Sequence, residues 1–143
     1  MAALLELSQH CRIASCVDSF AVRTGFFRAE TTDDNWNSEK DYHYGQDASI
    51  TWKNCLSYSA TDSGYVFLLS TFDKAYSTRL LSEVQGLGYQ GRTDWGDLVD
   101  LVGFQYTYRS RSRPRQLLTC FLYTSDRNGR SEPLWGFSFF VKR

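Results

Sequence analysis

The chain has 143 residues, a length typical of a single compact domain. Hydrophobic residues make up 42% of it and charged residues 22%, with only two prolines, which excludes disordered, collagenous and low-complexity proteins. Sixteen basic and sixteen acidic side chains cancel, so the chain lacks the overall positive charge that draws many proteins to nucleic acid or anionic lipid.

The amino-terminal segment and the cysteines bear on where the protein resides. No apolar run reaches the roughly 18 residues that a membrane-spanning helix needs. Residues 1–7 are briefly apolar, but they lack a basic region and Glu6 interrupts them, so a secretory signal is not expected. We therefore predict a cytoplasmic protein with free thiols, the alternative being two disulfide bridges. The four cysteines are Cys11, Cys16, Cys55 and Cys120.

The first half of the chain has the composition of strands, because aromatic residues, 16% of the whole, suit a half-buried sheet. Strands are predicted at residues 12–17 and 21–30, followed by a long acidic loop at residues 30–47. Apolar side chains then alternate with polar ones at residues 48–53, which indicates a half-buried strand. The continuous apolar run at residues 64–72 predicts a central strand covered on both faces.

Two helices are predicted next, where the hydrophobic period changes. Asp73 is the expected N-cap of the first helix, and Gly86 ends it. A second, shorter helix is expected from the capping pair Thr93 and Asp94 to Gly103. The apolar faces are Tyr76, Leu80, Leu81 and Val84 in the first helix, and Trp95, Leu98, Val99 and Val102 in the second.

The last third of the chain returns to strands, at residues 104–109 and 116–125, with an Asn-Gly turn at residues 126–129 before a final strand. Strands, a helix pair and strands again, without βαβ alternation, predict a mainly β fold. We expect one domain over residues 1–143, a β-sandwich of two sheets joined by a helix-loop-helix connection. One face of the final strand carries Trp135, Phe137, Phe139 and Val141.

Motifs for catalysis and metal binding are missing from the sequence. His10 and His43 lie outside any recognised motif, and no nucleophile elbow, phosphate-binding loop or dinucleotide fingerprint is found. A thiol nucleophile, Cys55 with His43 as base, is the alternative, although a buried cysteine is commoner. The spacing of Cys11 and Cys16 does not fit a zinc site. We predict a protein that is not an enzyme and that uses no cofactor or metal.

An alternating arginine series is the sharpest feature of the sequence. Side chains two residues apart on a strand share a face, so an extended conformation would place all four guanidinium groups together. Such a face favours binding of phosphate or another anion. The alternatives are an edge strand kept soluble by charge, or self-association with the acidic segment 30–47 to form a homo-oligomer. The series is Arg109, Arg111, Arg113 and Arg115.

Aromatic side chains in polar surroundings, at Trp36 and residues 42–44, suggest a second kind of ligand. Flat rings beside hydroxyl and amide groups suit a sugar, which has apolar C–H patches among its hydroxyls. The alternative is that these rings fold back over the sheet.

Three segments carry a resemblance to a known family. They are Thr24-Gly25-Phe26-Phe27-Arg28 followed by Asn35-Trp36; the strand at residues 65–72 that leads into Asp73-Lys74-Ala75-Tyr76 and the helix Leu80-Leu81-Ser82-Glu83-Val84; and the arginine-rich stretch before Gln116-Leu117 with the turn Asn128-Gly129-Arg130. In this order they resemble the fungal fruit-body lectins, cytosolic proteins of similar length that share a sandwich fold with actinoporin-like cytolysins. The resemblance implies a non-enzymatic protein that recognises glycans.

The resemblance also implies two sugar sites. In the first, for a galactose-type disaccharide, Asp73 and Lys74 stand where the family has a His-Asn pair. In the second, for N-acetylglucosamine, Phe121 stands where the family has a tyrosine. The residues implied in carbohydrate binding are Ser59, Thr61, Ser63, Asp73 and Lys74 in the first site, and Ser82, Gln85 and Arg109 in the second.

Two further functions stay open beside the lectin hypothesis. One is a membrane-lipid-binding or pore-forming protein of actinoporin-like type, with exposed aromatic and basic side chains as the lipid contact. The other is a protein that binds nucleic acid or phosphate through the arginine series at residues 109–115.

Overall fold

The computed structural model describes residues 1–28, 41–45, 54–94, 105–127 and 129–143. Within these ranges the helices are α1 (Ala2–His10), α2 (Ala14–Arg23) and α3 (Lys74–Gly86). The strands are β1 (Phe27–Arg28), β2 (Asp41–Gly45), β3 (Asn54–Ala60), β4 (Gly64–Thr71), β5 (Gln90–Asp94), β6 (Gln105–Arg109), β7 (Gln116–Arg127) and β8 (Arg130–Lys142).

The strands are hydrogen-bonded into one antiparallel sheet with the order β1-β2-β3-β4-β8-β7-β6-β5. Among the described elements, the first half of the chain supplies α1, α2 and the meander β1–β4, and the second half supplies α3 and the meander β5–β8. The two meanders join at the centre, where every residue of β4 pairs with β8 and Phe67 lies opposite Phe139. The mainly β fold is therefore confirmed. The described strands belong to one sheet, so the predicted division into two stacked sheets is not confirmed.

The helices and one face of the sheet form the core. Side chains alternate between the two faces of a strand, so the cross-strand neighbours Tyr58, Phe67, Phe139 and Leu118 lie in one row on the same face. All four are almost completely buried, and the rings of Tyr58 and Phe67 pack with their centroids 5.2 Å apart. Burial of each such side chain contributes about 1.5–3 kcal/mol to folding. The helices add Leu4, Leu5, Leu7, Val17, Phe20, Leu80 and Val84 to this core.

The structure confirms the first predicted helix and the central position of the predicted strand, but Val66 and Leu68, on the face of that strand opposite Phe67, are only half-buried. β4 occupies residues 64–71, and α3 begins at residue 74. The Asp73 carboxylate caps the helix, since Oδ1 accepts hydrogen bonds from the backbone N–H groups of Ala75 at 2.9 Å and Tyr76 at 3.1 Å. The predicted strands of the last third are present as β6, β7 and β8. In β8, Phe137, Phe139 and Val141 are buried on the predicted face, and Trp135 packs against the same core.

The first predicted strand is wrong. Residues 14–23 form α2, in which Val17, Phe20 and Ala21 share the spacing of one helix face and are all buried. Of the strand predicted at residues 21–30, only Phe27 and Arg28 are extended. The short alternation of apolar and polar residues at 12–17 was compatible with either structure, and contact with the core decided for the helix.

The second predicted helix is corrected at its start. Thr93 and Asp94, the expected caps, belong to strand β5 and pair with β6. The rest of that helix, residues 95–103, lies outside the described residues, as do the predicted strand at residues 48–53 and Trp36. Residues 42–44 are in strand β2. In the turn before β8, Gly129 has a φ of 72°, which glycine adopts without the steric cost that other residues pay.

The cysteines also correct the sequence prediction. Cys11 and Cys16 form a disulfide across the turn between α1 and α2, with a Cα–Cα distance of 5.4 Å, while Cys55 and Cys120 are free. The prediction of four free thiols is wrong for the first pair, because two helices meeting at a short turn bring these side chains together. Cys120 is buried, and this burial raises the pKa of its thiol to about 12.

No helix in the described ranges is long and apolar enough to cross a membrane.

Candidate anion-binding cleft

An open cleft of about 560 Å³ lies at the end of the sheet where β4 begins and β8 ends. The carboxyl end of α1 with Arg12 lines one side of the cleft, and the turn between β6 and β7, residues 113–115, lines another together with Gln116 of β7. Tyr65 of β4 and Val141 of β8 line the cleft from the sheet, and residues 142–143 complete the rim. The cleft is therefore built from four segments that are far apart in the sequence.

Positive charge dominates this cleft. Five of its lining side chains are cationic and none is acidic. Within the described part of the chain, none of the five forms an ion pair with a carboxylate. Like charges held together without compensation favour the binding of an anion. The five are Arg12, Arg113, Arg115, Lys142 and Arg143.

Two of the guanidinium groups share one aromatic ring. The Cζ atom of Arg12 lies 5.4 Å from the ring centroid of Tyr65, and that of Arg143 lies 5.0 Å from it. Both distances are within the range of cation–π attraction. The ring therefore attracts two guanidinium groups whose like charges repel each other.

The backbone and side chain of Arg12 are fixed by several contacts. Its Nη1 donates hydrogen bonds to the carbonyl oxygens of Ser8 at 2.8 Å and Cys11 at 2.6 Å. Its own carbonyl oxygen accepts a hydrogen bond from the Tyr58 hydroxyl at 3.0 Å. The disulfide between Cys11 and Cys16 closes the turn that contains it. This cation is consequently positioned before any ligand arrives.

A buried hydrogen-bond chain forms the floor of the cleft. The Tyr89 hydroxyl donates to Oε1 of Gln116 at 2.8 Å, and Nε2 of Gln116 donates to Oγ of Ser8. Oγ of Ser8 in turn donates to the carbonyl oxygen of Leu5 at 2.7 Å. Burial raises the pKa of Tyr89 to about 12, against the lowering effect of the nearby Arg113 charge. Three neutral side chains thus connect α1, the segment after α3 and β7 below the cations.

Arg113 links the cleft to the end of α3. Its Nη1 donates a hydrogen bond to the carbonyl oxygen of Leu87 at 3.0 Å, and its Cζ lies 5.9 Å from the ring centroid of Tyr89. Lysine could supply the charge at this position but not the planar group that makes both contacts. The side chain is half-buried and acts both on the fold and on the electrostatics of the cleft.

The predicted arginine face is only partly present. Residues 110–115 form turns in place of an extended strand, with hydrogen bonds from Arg113 N to Ser110 O and from Gln116 N to Arg113 O. The prediction that all four arginines project from one face is therefore wrong. Arg113 and Arg115 line the cleft, while Arg109, at the end of β6, and Arg111, in the turn, are exposed and do not.

The first lectin-like site is divided between the two ends of the sheet. Ser59 is in β3 and Thr61 and Ser63 are in the β3–β4 turn, at the end that carries the cleft. The Ser63 carbonyl oxygen accepts a hydrogen bond from the backbone N–H of Arg143 at 3.2 Å. Asp73 and Lys74 follow β4 at the other end. The structure therefore does not bring the two parts of this implied site together.

The second lectin-like site is placed on two elements. Ser82 is exposed on α3, and its Oγ donates a hydrogen bond to the Arg79 carbonyl oxygen at 2.7 Å. Gln85 is also in α3, and Arg109 is at the end of β6. Ser82 does not line the cleft. Within the described residues, no group of three or more His, Cys, Asp or Glu side chains is placed to hold a metal ion.

Sequence reasoning missed most of the cleft. Arg12, Tyr65 and the pair at residues 142–143 were not among the candidates, nor was Gln116. The one usable signal was the arginine series, of which two members reach the site. The remaining cations lie at or just beyond the ends of α1 and β8. Single charges at such positions form no periodic pattern from which a site could be predicted.

Comparisons of the chain with protein-family models, with curated proteins and with solved structures gave no match.

Proposed function

We propose that this protein binds an anionic ligand in the cleft, and that the ligand presents phosphate groups. The observation that carries the proposal is the convergence of five cationic side chains on one open cleft that no acidic side chain lines. Four of the five are arginines, whose planar forks match the oxygen atoms of phosphate with paired hydrogen bonds. A volume of about 560 Å³ is in the range of small-molecule sites.

The buried floor supports a binding function. A ligand site must hold its charged groups in place while they are empty, because ordering them on binding reduces the affinity. Here Tyr65 holds two guanidinium groups, and the chain from Tyr89 through Gln116 to Ser8 fixes the elements below them. The proposed activity is binding, in keeping with the prediction of a non-enzymatic protein.

The lectin hypothesis and its two-sheet sandwich have less support. The implied sugar residues lie at separate places in the fold, and none of those whose side chains the structure describes lines the cleft. A neutral glycan would be held by hydroxyl and aromatic contacts and would bind almost independently of salt. A phosphate ligand depends on charge, which salt screens. Membrane lipid and nucleic acid also present phosphate groups, and binding to vesicles or to an oligonucleotide distinguishes them from a small ligand.

The test is isothermal titration calorimetry with sodium pyrophosphate in a chloride buffer. We expect binding that weakens as NaCl is raised and that falls at least about tenfold in the Lys142→Ala, Arg143→Ala double variant, because each charge-assisted contact is worth about 1.5–3 kcal/mol. The matched control is Arg130→Ala, an exposed arginine at the opposite end of the same strand, which should bind as the wild type does.

Three results would contradict the proposal. The first is absence of pyrophosphate binding, and the second is equal binding by the double variant. The third is salt-independent binding of lactose with no response to pyrophosphate, which would favour the lectin. Sedimentation with vesicles of phosphatidylcholine and phosphatidylserine, run beside the titration, assigns the site to lipid if only the vesicles bind.

A further inference from the structure

We infer that the ligand is a compact oligophosphate, a molecule with two or more linked phosphate groups, and that Tyr65 is the positioning residue of the site. This inference rests on the proposed function and names its ligand class. It follows from the distribution of the cations, the size of the cleft and the shared ring.

The cations stand on three separate segments. Arg12 comes from the α1–α2 turn, Arg113 and Arg115 from the β6–β7 turn, and the pair at residues 142–143 from the end of β8. The volume of about 560 Å³ corresponds to roughly twenty water molecules at their share of liquid volume. A single phosphate group fills a small part of that space. Linked phosphates fill more of it and would contact more of the three segments.

The balance of charge points the same way. A single phosphate carries about −1.5 to −2 charges at pH 7, which leaves most of the five positive charges uncompensated. Each further phosphate group adds negative charge within the same small volume. Because the uncompensated cations repel one another, the site gains affinity with every added group until the charges match.

A long polyanion such as nucleic acid fits less well. A polymer needs a continuous basic track, because its affinity comes from many phosphate contacts. Lys74 and Arg79 are on α3, and Arg130 is at the end of β8 farthest from the cleft. Beyond the cleft and the β6–β7 turn, the described basic side chains are thus dispersed, and the whole chain has no net positive charge.

Tyr65 is assigned a positioning role because both Arg12 and Arg143 lie against its ring. The ring is half-buried and packs against the core. It offsets part of the repulsion between the two guanidinium groups and attracts each of them to the same ring. Phenylalanine preserves this function, and leucine preserves the packing but removes the π face.

The experiment compares sodium orthophosphate, pyrophosphate and tripolyphosphate by calorimetry, without divalent cations, on the wild type and on variants. We expect affinity to rise about tenfold with each added phosphate group, the lower limit for a charge-assisted contact. Tyr65→Leu should bind tripolyphosphate at least about fivefold more weakly, while Tyr65→Phe and the control Arg130→Ala should match the wild type. Thermal melting confirms that each variant is folded.

The outcomes distinguish this inference from the proposed function. If the three phosphates bind equally well, the cleft is an anion site but the oligophosphate assignment is wrong. If none binds, both are wrong. If Tyr65→Leu binds tripolyphosphate as the wild type does, the positioning role is wrong. If a single-stranded oligothymidylate displaces tripolyphosphate and binds more tightly than it, the ligand is a polymer and the inference is overturned.

Discussion

Replacing Gln116 with leucine tests whether the hydrogen-bond chain below the cleft stabilises the protein. The amide is 5% exposed and joins two groups that are also buried, the Tyr89 hydroxyl and Oγ of Ser8. Leucine fills nearly the same volume but leaves the Tyr89 hydroxyl, on a side chain that is 1% exposed, without its acceptor. A buried donor without a partner costs about 1–3 kcal/mol. Ser8 loses less, because it still donates to Leu5.

The expected loss for Gln116→Leu is therefore about 2 kcal/mol of the free energy of unfolding. Urea denaturation measures it as a fall of about 1 M in the midpoint with an unchanged slope, for a slope near 2 kcal/mol per M. Gln9→Leu is the matched control. It makes the same chemical change at an exposed position of α1 and should alter stability by less than about 0.5 kcal/mol.

A double-mutant cycle with Tyr89→Phe isolates the bond itself. In the Gln116→Leu background, which lacks the acceptor, Tyr89→Phe should leave the free energy of unfolding nearly unchanged or raise it. The cycle should therefore show a coupling energy of at least about 1 kcal/mol between the two side chains. Additive losses would show that the two side chains do not depend on each other. Gln116→Leu as stable as the wild type would refute the reasoning altogether.

Three further predictions follow from the disulfide, the buried ionisable groups and the sheet. Reduction of the Cys11–Cys16 bond should lower the free energy of unfolding by about 2 kcal/mol, the chain-entropy value for so short a loop, and the melting temperature by several degrees; an unchanged melting temperature would contradict this. The free energy of unfolding should fall as the pH rises from about 9 toward 12. Burial raises the pKa values of Tyr89 and Cys120 to about 12 in the folded chain, so the unfolded chain loses these protons at lower pH. Tyr89→Phe should flatten this pH profile, measured by urea denaturation at each pH. Gly136→Ala should destabilise by about 1–3 kcal/mol, because the new methyl carbon would overlap the ring of Phe121. Pairing it with Phe121→Leu should recover part of the loss in a thermal melt.

The parts of the fold that sequence reasoning predicted correctly depend on neighbours in the chain. A change of hydrophobic period marks the boundary between β4 and α3. Asp73 marks the start of the helix, because its side chain accepts a hydrogen bond from the backbone N–H of Tyr76, three residues later. α2 was missed because a stretch of six residues is compatible with a strand or a helix, and the decision came from Val17 and Phe20 meeting the core. Local pattern carries no information about that contact.

The candidate site could not be predicted in the same way, because sheet register assembles it. Gln116 lies opposite Val141, and this pairing places residues 142–143 beside the β6–β7 turn. The Gly64–Lys142 pairing then brings the same end of β8 to the β3–β4 turn. Arg113 and Arg115 were identified as anion-binding candidates from their spacing, but for the wrong reason, since they reach the cleft from a turn.

The central pairing of β4 with β8 also bears on how the chain acquires its structure during synthesis. Phe67 and Phe139 are opposite each other but 72 positions apart, so at about 5–20 residues per second roughly 4–14 s pass between their appearances. During this time β4 is the open edge of an incomplete sheet, with the apolar side chains of Phe67 and Leu69 uncovered on that side. Such a topology folds slowly, because distant segments must meet before the core is closed. A chaperone would therefore shield mainly the apolar edge of the nascent amino-terminal half. At high concentration, β8 is the strand that two copies of the protein would most readily exchange.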